Sequence, residues 1–196
     1  MDQSKKNLPV GLSLIEIVIA VTISLLLLLM INATYNLNQR AYVATDSKAE
    51  ITQNGRVILD RLVREVRQTP DIATELPLDT SDPSSLPSEL MFQNGHNTSQ
   101  IEYIRYYLDG SDIKRKIIVY FFLQAPENYV HYYDIDSEEG EPPYGPPQML
   151  VLETKIIGEY ASDLEFWGDR LVNINLYLQK NNQTEIINTA VYGRNL

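Results

Sequence analysis

The chain has 196 residues, which is the length of one or two domains and not of several. Its 26 Asp and Glu residues outnumber 16 Lys and Arg, and this net charge of -10 argues against a general nucleic-acid binder, which needs clustered cations. Cysteine is absent and only two histidines occur, which excludes disulfide scaffolds, Cys-ligated zinc, iron–sulfur clusters, thiol catalysis and three-histidine metal sites.

The first predicted element is an apolar segment, residues 12–31, in which Glu16 is the one charge and neither Gly nor Pro occurs. A helix of this length spans roughly 30 Å, the thickness of the hydrocarbon core of a bilayer. Lys5 and Lys6 precede the segment and the next charge after it is Arg40, which predicts a cytoplasmic N-terminus and an exported remainder. A transmembrane helix is therefore expected, and a secretory signal and a buried soluble helix are the alternatives. The simplest role for such a helix is that of a plain single-pass anchor.

Glu16 distinguishes this segment from a plain anchor. A carboxylate at the bilayer centre costs roughly 2.5–3.5 kcal/mol even on a lenient scale, and an anchor gains nothing from it. Ahead of it, Pro9 keeps the preceding residues out of a helix, and Gly11 leaves the backbone open to a protease. Cleavage after Gly11 would give Leu12 a new amino group four residues before Glu16, so that the carboxylate would gain a cationic partner in its own chain or in a neighbour.

These residues resemble the N-terminal signal of the type IV prepilins: a basic flank, Gly11, the sequence LSLIE that ends at Glu16, and an unbroken apolar run. The resemblance implies that residues 1–11 are a leader, which a prepilin peptidase removes before it N-methylates Leu12. It also implies that Glu16 recruits and registers subunits during assembly with other minor and major pilin-like subunits. Leu12 and Ser13 stand where the family usually has Phe and often has Thr.

Residues 32–69 are predicted to continue the helix as an amphipathic segment. Its apolar and small residues recur at alternating steps of four and three, which predicts packing against the protein's own sheet. The charge run over residues 60–67 is expected to form a solvated helix face. Major pilins usually bend this helix at a proline near position 33, and the absence of a proline here predicts no kink. The residues that recur at these steps of four and three, called here the stripe, are Leu37, Ala41, Ala44, Lys48, Ile51, Gly55, Ile58 and Leu62.

Residues 70–196 are predicted to form a β-rich globular head. Clustered prolines predict irregular loops over residues 70–100 and 125–148, and the remaining segments alternate β-prone runs with short turns. Two of these runs, within residues 101–123, are predicted to form a hairpin with its turn at Asp109–Asp112. The predicted class is therefore α+β, with a long N-terminal helix packed on an antiparallel sheet. This architecture is similar to that of pilins.

Two further stretches resemble the large minor pseudopilins and pilins. Residues 49–72 are similar to the second half of the helix in J-type pseudopilins of type II secretion and in W-type minor pilins, and residues 188–196 are similar to their final strand. The resemblance implies a non-catalytic subunit of a type IV pilus, a type II secretion pseudopilus or a DNA-uptake filament. Such a subunit is held in the bacterial inner membrane and then joins a cell-surface or periplasmic filament. A membrane-anchored receptor or binding domain with an uncleaved N-terminus is the alternative.

An acidic stretch is the one candidate for a metal site in the sequence. Asp134, Asp136 and Glu138 begin like a calcium-binding loop. An EF-hand loop needs Gly at its sixth position and Glu at its twelfth, whereas Glu139 and Gly145 stand there. A solvated acidic loop without a metal or other cofactor is therefore expected, and calcium is the weaker alternative.

Four tyrosines of the second proline-rich stretch, Tyr129, Tyr132, Tyr133 and Tyr144, are candidates for a partner surface. Tyrosine anchors protein interfaces well, although half-buried loop tyrosines are common. Neither His96 nor His131 has a plausible Ser or Cys partner for nucleophilic catalysis. No catalytic residue is therefore predicted.

Overall fold

The computed structural model describes residues 13–82, 85–97, 99–123, 125–134 and 146–193. Within these residues the chain forms one α-helix and eight strands, and every strand pairing is antiparallel. The predicted α+β class is confirmed, since a long N-terminal helix precedes and packs on antiparallel sheets. The elements are α1 (Leu14–Val66), β1 (Glu89–Gln93), β2 (Tyr103–Asp109), β3 (Asp112–Phe122), β4 (Ala125–Val130), β5 (Gln148–Gly158), β6 (Ala161–Trp167), β7 (Leu171–Lys180) and β8 (Gln183–Tyr192).

The chain divides into two compact units, Met1–Thr45 and Asp46–Leu196. In the first unit α1 exposes its apolar side chains, and its most apolar 18-residue window has a mean hydropathy of 2.9 with none of it buried. By length and composition α1 could cross a membrane. The hydroxyl of Thr22 donates to the Val18 carbonyl at 2.8 Å, so this polar group is satisfied within the helix.

In the second unit α1 buries one face. The predicted stripe is buried from Ile51 onward, through Ile58 and Leu62, and the helix ends at Val66. Farther toward the N-terminus the stripe differs from the prediction, because Leu37 is 67% exposed and belongs to the first unit, whose described residues contain no strand.

Gly55 lies in the middle of this buried face, where glycine weakens a helix. A Cβ at this position would come within 2.5 Å of the side chains of both Leu178 and Ile187. The glycine therefore permits a close approach of α1 to β7 and β8.

The first sheet is built around β3. It pairs with β2, which pairs in turn with β1, and β3 also pairs with β4 and β5. β2 and β3 form the predicted hairpin, with Asp109 opposite Asp112 and Gly110 at a φ of 66° in the turn between them. β5 pairs with β3 along one edge, and its other edge pairs with no strand in the described part of the chain. Its side chains Met149, Leu150, Val151 and Leu152 are all exposed.

The second sheet has the order β6-β7-β8. Alternate residues of β7 are buried, as expected for a strand with one face on the core, and a turn at Asn181 (φ 53°) leads into β8. The two sheets and α1 enclose one core, whose buried members include Ile51, Ile58, Leu62, Leu90, Phe92, Ile104, Tyr106, Ile113, Leu164, Phe166, Val172, Ile174, Leu176 and Leu178.

Two strands lie where the sequence predicts irregular loops. β1 lies within residues 70–100. This segment forms a strand because its alternate residues Leu90 and Phe92 are buried in the core. β4 lies within residues 125–148 and contains Pro126, which cannot donate to a ladder. It pairs with β3 only through Ala125, Tyr129 and Val130, so the proline falls in an unpaired irregularity.

Candidate functional site

The first candidate site is the start of α1, where Glu16 lies in the first turn. The Glu16 backbone N–H donates to Ser13 Oγ at 3.3 Å. In return, Glu16 Oε2 accepts from the Ser13 backbone N–H at 2.8 Å and from Ser13 Oγ at 3.0 Å. This reciprocal arrangement is a capping box, which satisfies donors that the first turn of a helix leaves free.

The capping box is a second role for Ser13, which the family resemblance marks only as a departure from the usual pattern. The signal was available, because Ser-x-x-Glu ahead of an apolar run is typical of a helix N-terminus. Both bonds from Ser13 end on Oε2, so Oε1 accepts no hydrogen bond from the described residues. The predicted processing residues, Gly11 and Leu12, lie outside the described residues.

The second candidate site is a cluster of aromatic side chains, Tyr103, Tyr120, Tyr132, Tyr133 and His131, called here the tyrosine cluster. Tyr103 contacts Tyr120 and Tyr132 edge to face at 5.6 and 5.5 Å between ring centroids. Tyr132 contacts Tyr133 in the same way at 5.0 Å, and His131 stacks on Tyr133 at 5.0 Å. The Tyr103 hydroxyl lies 2.9 Å from His131 Nδ1, within hydrogen-bond distance.

The tyrosine cluster contains two of the four predicted partner residues, Tyr132 and Tyr133. Tyr133 is 55% exposed, whereas Tyr103 is fully buried, and burial raises the pKa of the Tyr103 phenol well above its ordinary value. The cluster thus contains one buried ring, Tyr103, one exposed ring, Tyr133, and three partly exposed rings. Tyr129 lies on β4 outside the cluster, and Tyr144 lies outside the described residues.

The acidic candidate for calcium is only partly described. Asp134 Oδ2 accepts from the His131 backbone N–H at 2.7 Å, which is a turn contact, while Asp136 and Glu138 lie outside the described residues. In the part of the chain that the structure covers, no three His, Asp or Glu side chains come together in a way that could hold a metal ion.

A buried ion pair joins α1 to the first sheet. Glu65 Oε2 accepts from Arg115 Nε at 2.9 Å and from the Tyr106 hydroxyl at 2.7 Å. Arg61 Nε lies 3.4 Å from the other carboxylate oxygen. The side chains of Glu65 and Arg115 are 9% and 8% exposed. The desolvated charges therefore fix the position of the helix on the sheet through directed bonds.

This ion pair corrects the expectation of a solvated face over residues 60–67, because Glu65 is buried. The signal was present in the periodicity. Glu65 lies seven residues after the buried Ile58 and so on the same face of α1. Arg115 lies two residues after the buried Ile113 and so on the same face of β3. Opposite charges on two apolar faces indicate a pair, but only the fold brings residues fifty positions apart together.

Among the described residues, the candidate sites are the Ser13–Glu16 cap, the tyrosine cluster and the buried Glu65–Arg115 pair. Comparison with protein-family models, with curated proteins and with solved structures gives no match.

Proposed function

We propose that this chain is a non-catalytic minor pilin or pseudopilin subunit of a type IV pilus, a type II secretion pseudopilus or a DNA-uptake filament. The observation that carries the proposal is the spacing at the N-terminus. A basic flank and Gly11 precede an apolar run whose single carboxylate, Glu16, is the fifth residue after the glycine. A helix that packs on antiparallel sheets follows, as the pilin-like architecture requires.

The proposed maturation begins in the cytoplasmic membrane. A prepilin peptidase removes residues 1–11 and N-methylates Leu12, and the apolar helix holds the subunit in the bilayer until assembly. The helices then bundle in the filament, where the carboxylate of Glu16 meets the positive N-terminal amine of its own chain or of a neighbour. A desolvated carboxylate without a partner would be unfavourable in that apolar environment, so the pairing favours the correct register.

The capping box is compatible with this role. Ser13 occupies only Oε2 of Glu16, so Oε1 is available to a cation from another subunit. Ser13 would be the second residue of the mature chain, so the helix could begin almost at the new N-terminus. The cap would then hold the carboxylate close to the amine with which it is proposed to pair.

The experiment is mass spectrometry of the protein isolated from membranes of cells that contain a prepilin peptidase. We expect the wild-type chain to begin at Leu12 and to carry one additional methyl group. Gly11→Val should leave the precursor intact, because the peptidase has to accommodate the residue before the cleaved bond. Asn7→Val, a change in the leader away from the cleaved bond, is the control and should be processed.

An intact N-terminus in the wild-type protein would contradict the proposal. It would instead support a single-pass anchored receptor or binding domain that retains residues 1–11. Cleavage of Gly11→Val at the same position as the wild type would also contradict it, since no prepilin-type recognition would then be involved.

A further inference from the structure

A polar cavity of about 780 Å³ lies among the end of α1, the segment between β1 and β2, and β4. Its volume falls within the range of roughly 300–1,000 Å³ that small-molecule sites occupy. Tyr129, one of the predicted partner residues, lines it from the β4 side. Among the described residues, no member of the cap, the tyrosine cluster or the buried ion pair lines this cavity.

Amide side chains dominate the lining of the cavity. Each amide offers two N–H donors and a carbonyl acceptor in one plane. The described lining contains one charged side chain, Glu127, and no Lys or Arg. The six amides are Gln68, Gln93, Asn94, Asn97, Gln100 and Asn128.

One wall of the cavity is held in place from behind. Asn94 Nδ2 and Asn97 Nδ2 each donate to the carboxylate of Glu102 at 2.8 Å, and Asn94 is buried. Gly95 passes so close to the turn that follows α1 that a Cβ there would lie 1.7 Å from the backbone oxygen of Gln68. The wall is thus ordered before any ligand arrives, which reduces the entropy lost on binding.

The Gln68 side chain that lines the cavity is incompletely satisfied. Its Oε1 is the one buried side-chain oxygen or nitrogen among the described residues that has no hydrogen-bond partner. Leaving such an acceptor unpaired is unfavourable, and native structures contain few of them. This oxygen is itself closed off from solvent, so the group that Gln68 can present to a ligand is its Nε2 amide, which donates no hydrogen bond to the described residues.

We propose that this cavity binds a neutral carbohydrate of one or two rings. Sugar hydroxyls both donate and accept, as the amides do, so one sugar can satisfy several of them at once. Tyr129 adds an aromatic ring for the apolar face of a sugar. An anionic ligand fits less well, because Glu127 would repel it and the described lining has no cation. A peptide fits less well because only Pro70 and Ile101 offer aliphatic contacts.

The test is saturation-transfer difference NMR on the full chain, held in micelles of a detergent without a sugar headgroup. The probes are cellobiose and N,N′-diacetylchitobiose, with inorganic phosphate and trialanine as the anionic and peptide alternatives. We expect at least one disaccharide to bind, and the difference between the two shows whether the N-acetyl groups contribute. Gln68→Leu and Gln100→Ala should each weaken that binding roughly three- to tenfold, the effect of one lost neutral hydrogen bond.

Gln179→Leu is the matched control, because Gln179 is exposed on β7 and does not line the cavity. Gln68→Leu removes a buried oxygen that is already unpaired, so the Tm of this variant should not fall below that of the wild type. Any loss of binding in this variant is then due to the changed cavity and not to unfolding. The proposal is overturned if neither disaccharide binds, if phosphate or trialanine binds instead, or if both cavity variants bind like Gln179→Leu. Gly11→Val protein should bind as the wild type does, which separates this test from that of processing.

Discussion

At the scale of single residues, Glu65 is the side chain whose loss should matter most to stability. Its carboxylate neutralises Arg115 and accepts a bond from Tyr106 inside the protein. Glu65→Gln leaves the buried guanidinium with only the partly exposed Glu153 carboxylate, 3.5 Å from Nη1, as a counter-charge. Loss of one partner of a buried pair typically costs up to about 3–5 kcal/mol, and the remaining Glu153 contact should place this variant at the lower end of that range. Thermal unfolding in detergent, followed by circular dichroism, should therefore show a large fall in Tm.

Two controls separate the lost charge from a general effect of mutation at this helix. Asp60→Asn makes the same chemical change at an exposed position of α1 and should leave Tm within experimental error. The double variant Glu65→Leu, Arg115→Met removes both buried charges and should unfold closer to the wild type than Glu65→Gln does, because no buried charge is left without its partner. If the double variant were less stable than both Glu65→Gln and Asp60→Asn, an unpaired buried charge would not be the source of the fall in Tm.

The buried Tyr106 should make the protein less stable at alkaline pH. Burial, and then the adjacent Glu65 carboxylate, raise its pKa above the ordinary value of 10.0. A group whose pKa is raised in the folded state favours folding fully below the pKa of the unfolded chain, and this contribution is lost as the pH rises above it. Stability should therefore decrease above about pH 10, where the unfolded chain begins to release this proton and the folded chain retains it.

The ionisation of the tyrosines can be followed by the absorbance of the phenolate band during an alkaline titration. Exposed tyrosines should ionise first, and Tyr106 should ionise only together with the loss of the circular dichroism signal. Tyr106→Phe should remove part of the pH dependence, although it also removes the bond to Glu65. Ionisation of every tyrosine in one transition near pH 10, without unfolding, would contradict the assigned burial.

At the scale of elements, the contact of α1 with the second sheet depends on a missing side chain. Gly55→Ala gains up to about 1 kcal/mol of helix propensity, but its Cβ would overlap Ile187 and Leu178. Overpacking of a well-filled core typically costs 1–3 kcal/mol, so the net change should be destabilising. Urea denaturation of Gly55→Ala and of Arg56→Ala, an exposed neighbour on α1, measures the difference.

A double-mutant cycle identifies the cause of the Gly55 effect. Ile187→Val removes the methyl group that a new Cβ would meet, and it should cost less in the Gly55→Ala background than in the wild type. Strictly additive effects of the two substitutions would show that the close approach at Gly55 is not what limits stability.

The elements also show which features the sequence could predict. Local periodicity is sufficient for α1, for the β2–β3 hairpin and for the alternation along β7, because each pattern lies within one segment. It fails for β4, where Pro126 argues for a loop and only pairing with β3 makes a strand. The cluster partners Tyr103 and Tyr120 were missed for a related reason, since folding alone brings those strand residues to Tyr132.

At the scale of the whole molecule, Glu16 tests the proposed assembly. Glu16→Leu should still insert in the membrane and be cleaved after Gly11, since removal of a charge from lipid is favourable by up to about 3 kcal/mol. Function of the filament should nevertheless be lost, because the N-terminal amine would enter an apolar bundle without a counter-charge. The measurement is the secretion, twitching or DNA-uptake phenotype of the host, together with the mass of the processed chain.

The structure supplies two controls for this experiment. Ser13→Ala removes the capping box and retains Glu16, so a defect confined to Glu16→Leu would separate assembly from helix capping. Thr22→Leu removes a polar group that bonds only to its own helix, and it should be neutral. Full filament function with Glu16→Leu would refute the proposed mechanism even if cleavage were observed.

The exposed edge of β5 has a practical consequence for anyone who purifies this protein. Four consecutive exposed apolar residues on an edge without a partner in the described chain are a template for amyloid-like stacking once chains are concentrated. Leu152 is the extra residue of an irregularity and has no partner in β3, so a lysine there leaves the ladder intact. Leu152→Lys protein should therefore remain clear at concentrations at which the wild type forms thioflavin-positive aggregates, with little change in Tm.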